Sequence, residues 1–169
     1  MNINSKFTVG SEEGISDLIR LIDSSVYTLH QGLVPEDDIK KYIQNNIDPR
    51  KMINDLNNLS NQMIITYADG RPAGYSIIKS GTSHASLPEE KRATEISFVI
   101  LPEFDSEETR QSLWKKSRSA ASFTDIIWIN MMTHDPLLEF FKESGFRVAA
   151  DAVAGPFELP SHILQLEIG

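Results

Sequence analysis

Apolar residues recur at Ile15, Leu18, Ile19, Ile22, Val26 and Leu29. Steps of three and four predict one amphipathic helix, and Ser11 just ahead predicts its cap. Lys6 to Val9 predict a short strand before it. Pro35 followed by Glu36, Asp37 and Asp38 predicts a second helix. Proline suits the first helical position, and acids suit the positive end of the helix dipole. Ile39, Tyr42 and Ile43 form its apolar face, and Asn45-Asn46 its end. Asp48-Pro49 repeats the start signal, with Met52, Ile53 and Leu56 on one face. Asn54, Asn57, Asn58 and Asn61 mark a polar exit.

At Gln62 the period changes. Met63 to Tyr67 favour a strand, Asp69-Gly70-Arg71-Pro72 a turn, and Ala73 to Lys79 the returning strand of a hairpin. Gly81 to Arg92 reads as a polar loop. Ile96, Phe98 and Ile100 alternate with Glu95, Ser97 and Val99, which predicts a strand ending at Pro102. Asp105 and Glu108 have capping-box spacing for a helix faced by Leu113, Trp114, Ser117, Ala120 and Ala121. Ile126 to Ile129 form a short apolar run, as in a central strand covered on both faces. Pro136 opens a helix through Leu137, Leu138, Phe140 and Phe141, and Gly145 stops it. Phe146 to Val153 and Ile163 to Ile168 are the closing strands. The strand-helix-strand unit from Glu95 to Asn130 needs a parallel pair, so the sheet is mixed. There is no repeat and no domain boundary, and residues 1–169 read as a single domain.

Composition narrows the chemistry. Of 169 residues, 40% are hydrophobic and 24% charged, ordinary for one globular core. No apolar run approaches the roughly 20 residues needed to span a bilayer. Met1 to Gly10 lack a basic start followed by an apolar stretch, so no signal peptide is expected. The chain has no cysteine, which excludes disulfides and thiolate chemistry and suits the cytoplasm. A net charge of −8 disfavours nucleic acid and anionic membrane as partners.

The element order resembles the GNAT superfamily of N-acetyltransferases across essentially the whole chain. Two segments carry the resemblance. Residues 68–75 (ADGRPAGY) look like the family's hairpin, in which an acidic-Gly turn leads into a Gly-aromatic strand. Residues 137–146 (LLEFFKESGF) look like its late helix ending in Gly-Phe. The resemblance implies an α/β fold with a mixed, mainly antiparallel sheet flanked by helices. It implies acetyl-CoA held where two parallel strands splay apart. Val99, Ile100 and Leu101 would supply strand contacts, and the loop Glu103 to Arg110 a cradle of helix N-terminal N–H groups. Arg110 is its candidate cation. Glu95 is the candidate general base, His134 matches the cofactor-facing asparagine and can titrate, and Tyr75 is a candidate acceptor contact. The family also implies a homodimer.

The same comparison exposes departures. Glu108 and Arg110 stand where the family has glycines, and Asp105 where it has a basic residue. Asp105, Glu107 and Glu108 place three carboxylates where a diphosphate should rest. Phe141 stands where many members carry a tyrosine acid. His30, His84 and His162 show no metal-ligand spacing, so no metal is expected. Lys115-Lys116-Ser117-Arg118 reads as a solvated helix face. Two functional readings follow. One is direct acyl transfer from acyl-CoA to a small-molecule or peptide amine. The other is a GNAT-fold ligand- or protein-binding module that has lost the cofactor.

Overall fold

The computed structural model describes residues 1–8, 12–46, 48–57 and 61–168. Strand β1 is Ile3–Phe7, and helices α1 (Glu12–His30), α2 (Glu36–Asn46) and α3 (Pro49–Asn57) follow. Strands β2 (Asn61–Ala68), β3 (Arg71–Ser80) and β4 (Ala93–Ile100) come next, then helix α4 (Glu107–Ala120) and strand β5 (Ile126–Met132). Helix α5 (Leu138–Glu143) and strands β6 (Arg147–Ala154) and β7 (Leu159–Glu167) complete the chain. The strands are hydrogen-bonded in the order β1-β2-β3-β4-β5-β7-β6. β4 and β5 are parallel, while β1 pairs with β2, and β7 with both β5 and β6, antiparallel. The mixed, mainly antiparallel sheet is therefore as expected.

The chain forms two compact units, Met1–Ile77 with Phe98–Ser119, and Ile78–Ser97 with Ala120–Gly169. In the first, α1 buries Leu18 and Leu21 against Met63, Ile65, Tyr75 and Leu101. The buried stripe is turned from the expected one, because Leu21 and Ser25 are inside while Ile19 and Val26 are half-buried. On the other face Ser5 Oγ meets Thr66 Oγ1, and Ser112 Oγ of α4 at 2.7 Å. The β2–β3 hairpin turns at Asp69 and Gly70, with φ of 49° and 80°. Two consecutive positive φ values make a type I′ turn, whose twist matches the strands. The first strand starts earlier than expected, because Ile3 already pairs with Ala68 and Phe7 with Ile64. Val9, Ser11 and Asn58, and the side chains of Met52 and Leu56, lie outside the described residues.

In the second unit Leu87, Ala93, Ile126, Trp128 and Ile163 form the core, with Ala149, Ala150 and Ala152 of β6 packed on it. The loop between β3 and β4 is anchored there: Trp128 Nε1 donates to the Thr82 carbonyl at 2.7 Å, and Leu87 is buried. Helix α5 begins at Leu138, two residues after the expected Pro136. Asp135 causes the delay by accepting from Leu137 N through its carboxylate and from Leu138 N through its carbonyl. Gly145, at φ 107°, ends the helix as expected, and Phe146 N reaches back to the Phe141 carbonyl at 3.0 Å.

Candidate functional site

In the first unit the site is built on the end of β4 and the start of α4. Leu101 N donates to the Ala73 carbonyl at 2.8 Å, which ties the strand end to β3. A Cβ on Gly74 would lie 2.4 Å from the Val99 carbonyl oxygen and 3.2 Å from Ile100 Cα. Only glycine permits this approach, so the Gly-aromatic hairpin strand fixes Val99 and Ile100 in place. Tyr75, the next residue, is buried in the α1 cluster with Val99 and Leu101. Burial pushes its hydroxyl pKa up, and a hydrogen bond with Ser25 partly opposes this.

After Leu101 a 3₁₀ turn over Pro102–Phe104 leads to α4. The cap of α4 is Ser106 rather than Asp105: Thr109 N donates to Ser106 Oγ at 3.1 Å, and Arg110 N to the Ser106 carbonyl at 3.0 Å. Asp105 is left to bind Arg110, whose Nε and Nη2 reach its two oxygens at 2.6 and 2.8 Å. The expected cap was one residue off because the hydroxyl at Ser106, followed by the buried Thr109, satisfies the third helical N–H directly. Glu107 and Glu108 keep first-turn N–H groups, which have no intrahelical partner, and their side chains are exposed. Arg71 stacks 5.0 Å over the Phe104 ring, adding a cation beside the loop.

Those features decide whether a CoA diphosphate fits. The backbone donors at Glu107 and Glu108 suit an anion. One of the three acids is neutralised by Arg110, and the other two are solvated and screened. Glu108 and Arg110 still carry a Cβ where glycine would not. The backbone donors fit the group, while two exposed carboxylates and the Cβ atoms of Glu108 and Arg110 oppose it.

In the second unit Glu95 stands opposite Trp128 at the end of the β4–β5 ladder, which begins at Ala93↔Ile126. β4 continues to Ile100 and β5 to Met132. Glu95 is half-buried. His84 packs on Trp128 with ring centroids 5.5 Å apart, and its Nδ1 accepts from Ser86 N at 3.1 Å. His134 is exposed in the turn after β5. Phe141 is fully buried, edge-to-face with Phe140 and Phe146. Among the described residues no His, Asp or Glu cluster can hold a metal, and no helix is long and apolar enough to cross a membrane.

Among solved structures, the PaiA N-acetyltransferase of Thermoplasma acidophilum in complex with coenzyme A matches with a TM-score of 0.74 and 16% identity, over 99% of both chains. YncA of Salmonella typhimurium, with its cofactor acetyl-CoA, matches at 0.73 and 13% identity, over 100% of this chain and 95% of that one. A GNAT-family acetyltransferase of Streptococcus agalactiae matches at 0.72 and 12% identity, over 96% and 95%. The fold is that of the GNAT acetyltransferases. No protein-family model and no curated protein matches the chain.

Within the GNAT fold, the sequence-predicted residues fall into local groups. Val99, Leu101 and Tyr75 share one cluster, and Arg110 grips Asp105. Glu95 sits on the Trp128 rung, and His134 in the turn beyond β5. Sequence reasoning did not single out Ser106, which caps α4, or Asn130 on β5. Asn130 carried a signal, since it is a polar residue continuing the apolar run of β5.

Proposed function

We propose that the chain transfers an acyl group from an acyl-CoA, acetyl-CoA first, to the nitrogen of an amine. Glu95 carries the reading. It is a carboxylate at the end of the parallel ladder, in a fold whose neighbours PaiA and YncA were solved with coenzyme A and acetyl-CoA. Bound acetyl-CoA supplies an activated acyl carbonyl and a thiolate leaving group. The Val99–Leu101 backbone and the Glu107 and Glu108 N–H groups are the residues that hold it. Glu95 takes the proton from the acceptor nitrogen, directly or through one water. Phe141 has no proton to give, so His134 or solvent takes the role of the family's tyrosine. Cysteine-free composition suits the cytoplasm, and the family resemblance supports a homodimer.

The test is acetyl-CoA binding by calorimetry at low and high salt, followed by an amine screen. Saturation at about 100 times Kd stabilises the fold by about 2.7 kcal/mol. Binding that strengthens with salt is expected, because salt screens Glu107 and Glu108. No binding at either salt overturns the reading and leaves a binding module without the cofactor.

A further inference from the structure

Among the described residues of the second unit, three side-chain polar atoms are closed to solvent and hold no hydrogen bond: Thr94 Oγ1, Asn130 Oδ1 and Ser161 Oγ. An unsatisfied buried polar group costs about 1–3 kcal/mol, and native proteins keep few. The Asn130 amide is firmly placed. Its Nδ2 donates to the Val153 carbonyl at 3.0 Å, which leaves Oδ1 as the bare acceptor. Ser161 is only 2% exposed.

The strand register puts Asn130 and Ser161 on one face, and Thr94, opposite Ile127, on the other. Met132 pairs with Ser161, and Asn130 with Ile163. Ile163 shares a core with Trp128 and Ala93. Alternate strand residues point the same way, so Trp128, Asn130 and Ser161 share that face. Glu95, opposite Trp128, shares it too. Two residues of strand span about 6.8 Å, so Asn130 lies one such step from the Glu95–Trp128 rung, and Ser161 one step further. On β6, Ser161 is flanked by Ala152, and Ile163 by Ala150. These short side chains crowd the face least.

We propose that Asn130 and Ser161 bind the distal polar group of the acceptor. They select an amine that carries a second N–H or O–H donor about 7 Å from the attacking nitrogen. The proposal rests on the acyl-transfer reading with Glu95 as base. Oδ1 can only accept, so the ligand must donate, whereas the serine hydroxyl can do either. An acceptor with an apolar tail leaves both atoms unpaired, and a site built this way rejects it.

The test follows the Asn130 side-chain amide signal in ¹⁵N-labelled full chain, assigned by its loss in Asn130→Leu. The probes are 1,5-diaminopentane, 5-aminopentan-1-ol and n-pentylamine. The first two are expected to shift that signal and to bind about tenfold more tightly than n-pentylamine. Ser161→Ala is expected to shrink the difference. If Asn130→Leu does not fold, Ser161→Ala carries the test. Equal binding of all three amines, or no shift with any, overturns the proposal and leaves the two atoms to a trapped water. Acetyl-CoA calorimetry on the same sample separates the two ideas. Cofactor binding without amine selectivity sinks this inference alone. Selectivity without cofactor binding sinks the acyl-transfer reading and leaves the site.

Discussion

The Arg110 guanidinium closes on Asp105 in a two-pronged pair, Nε to Oδ1 at 2.6 Å and Nη2 to Oδ2 at 2.8 Å. Arginine standing for a glycine and aspartate standing for a base thus cancel each other. The aspartate alone would repel an anion, and the arginine neutralises it. The pair also commits Arg110, which has to leave Asp105 before it can reach a phosphate.

Asp105→Asn removes the competing carboxylate. Acetyl-CoA affinity is expected to rise about fivefold, the scale of a partly exposed ion pair. Arg110→Ala leaves Asp105 uncompensated and is expected to weaken binding by a similar factor. Calorimetry on both variants decides. Unchanged affinity in both assigns the pair to loop folding alone.

Gly74→Ala tests the close approach of β3 to β4. The new methyl would sit 2.4 Å from the Val99 oxygen, a backbone atom that cannot swing aside. Overpacking of this kind costs about 1–3 kcal/mol. A lower urea midpoint is expected, with weaker acetyl-CoA binding because Val99 and Ile100 must shift. A midpoint equal to wild type would mean that β4 yields freely there.

Most of the fold was legible because its signals are local. The Asp69-Gly70 turn, the alternation from Glu95 to Ile100 and the Gly145 stop each follow from one or two residues. Cap positions were less legible. Ser106 and Asp105 can both accept from a helix start, and only the Arg110 partner decides between them. Of the candidate site, strand positions were legible and the pairing between distant strands was not. Glu95 could be named from its strand. Its face-sharing with Asn130 and Ser161 depends on β5–β7 register, which joins residues far apart in sequence.

Asp125 gives the second unit an acid sensitivity. Its carboxylate accepts from Arg92 N at 2.9 Å and pairs with the Arg92 side chain at 3.5 Å. The backbone hydrogen bond from Arg92 is the main cause that lowers its pKa, with the Arg92 side chain adding to it. A depressed carboxylate stabilises the fold above its unfolded value, and that contribution fades as pH falls through the folded one. Asp125→Asn is therefore expected to lower the melting temperature at pH 7. The gap should close as pH drops below the ordinary value of 3.8. A gap that persists in acid would assign the loss to packing.

Glu95→Gln keeps shape and removes the proposed base. A loss of about 10²–10⁴ in kcat/KM is expected, with acetyl-CoA affinity unchanged. A variant that keeps the rate would move the base elsewhere.

Phe141→Tyr restores the residue type that the family uses as an acid, and is expected to restore nothing. Phe141 is fully buried, with Phe140 and Phe146 ring centroids at 5.2 and 5.3 Å. A phenol placed there takes a hydroxyl out of water, a desolvation that costs about 1–3 kcal/mol. For a chain of this size each kcal/mol lowers Tm by roughly 2–4 °C. Lower Tm with no gain in kcat is the expected pair of results. A gain in kcat would show that α5 presents this position to the reacting thiolate, and His134 would lose its role as the proton source.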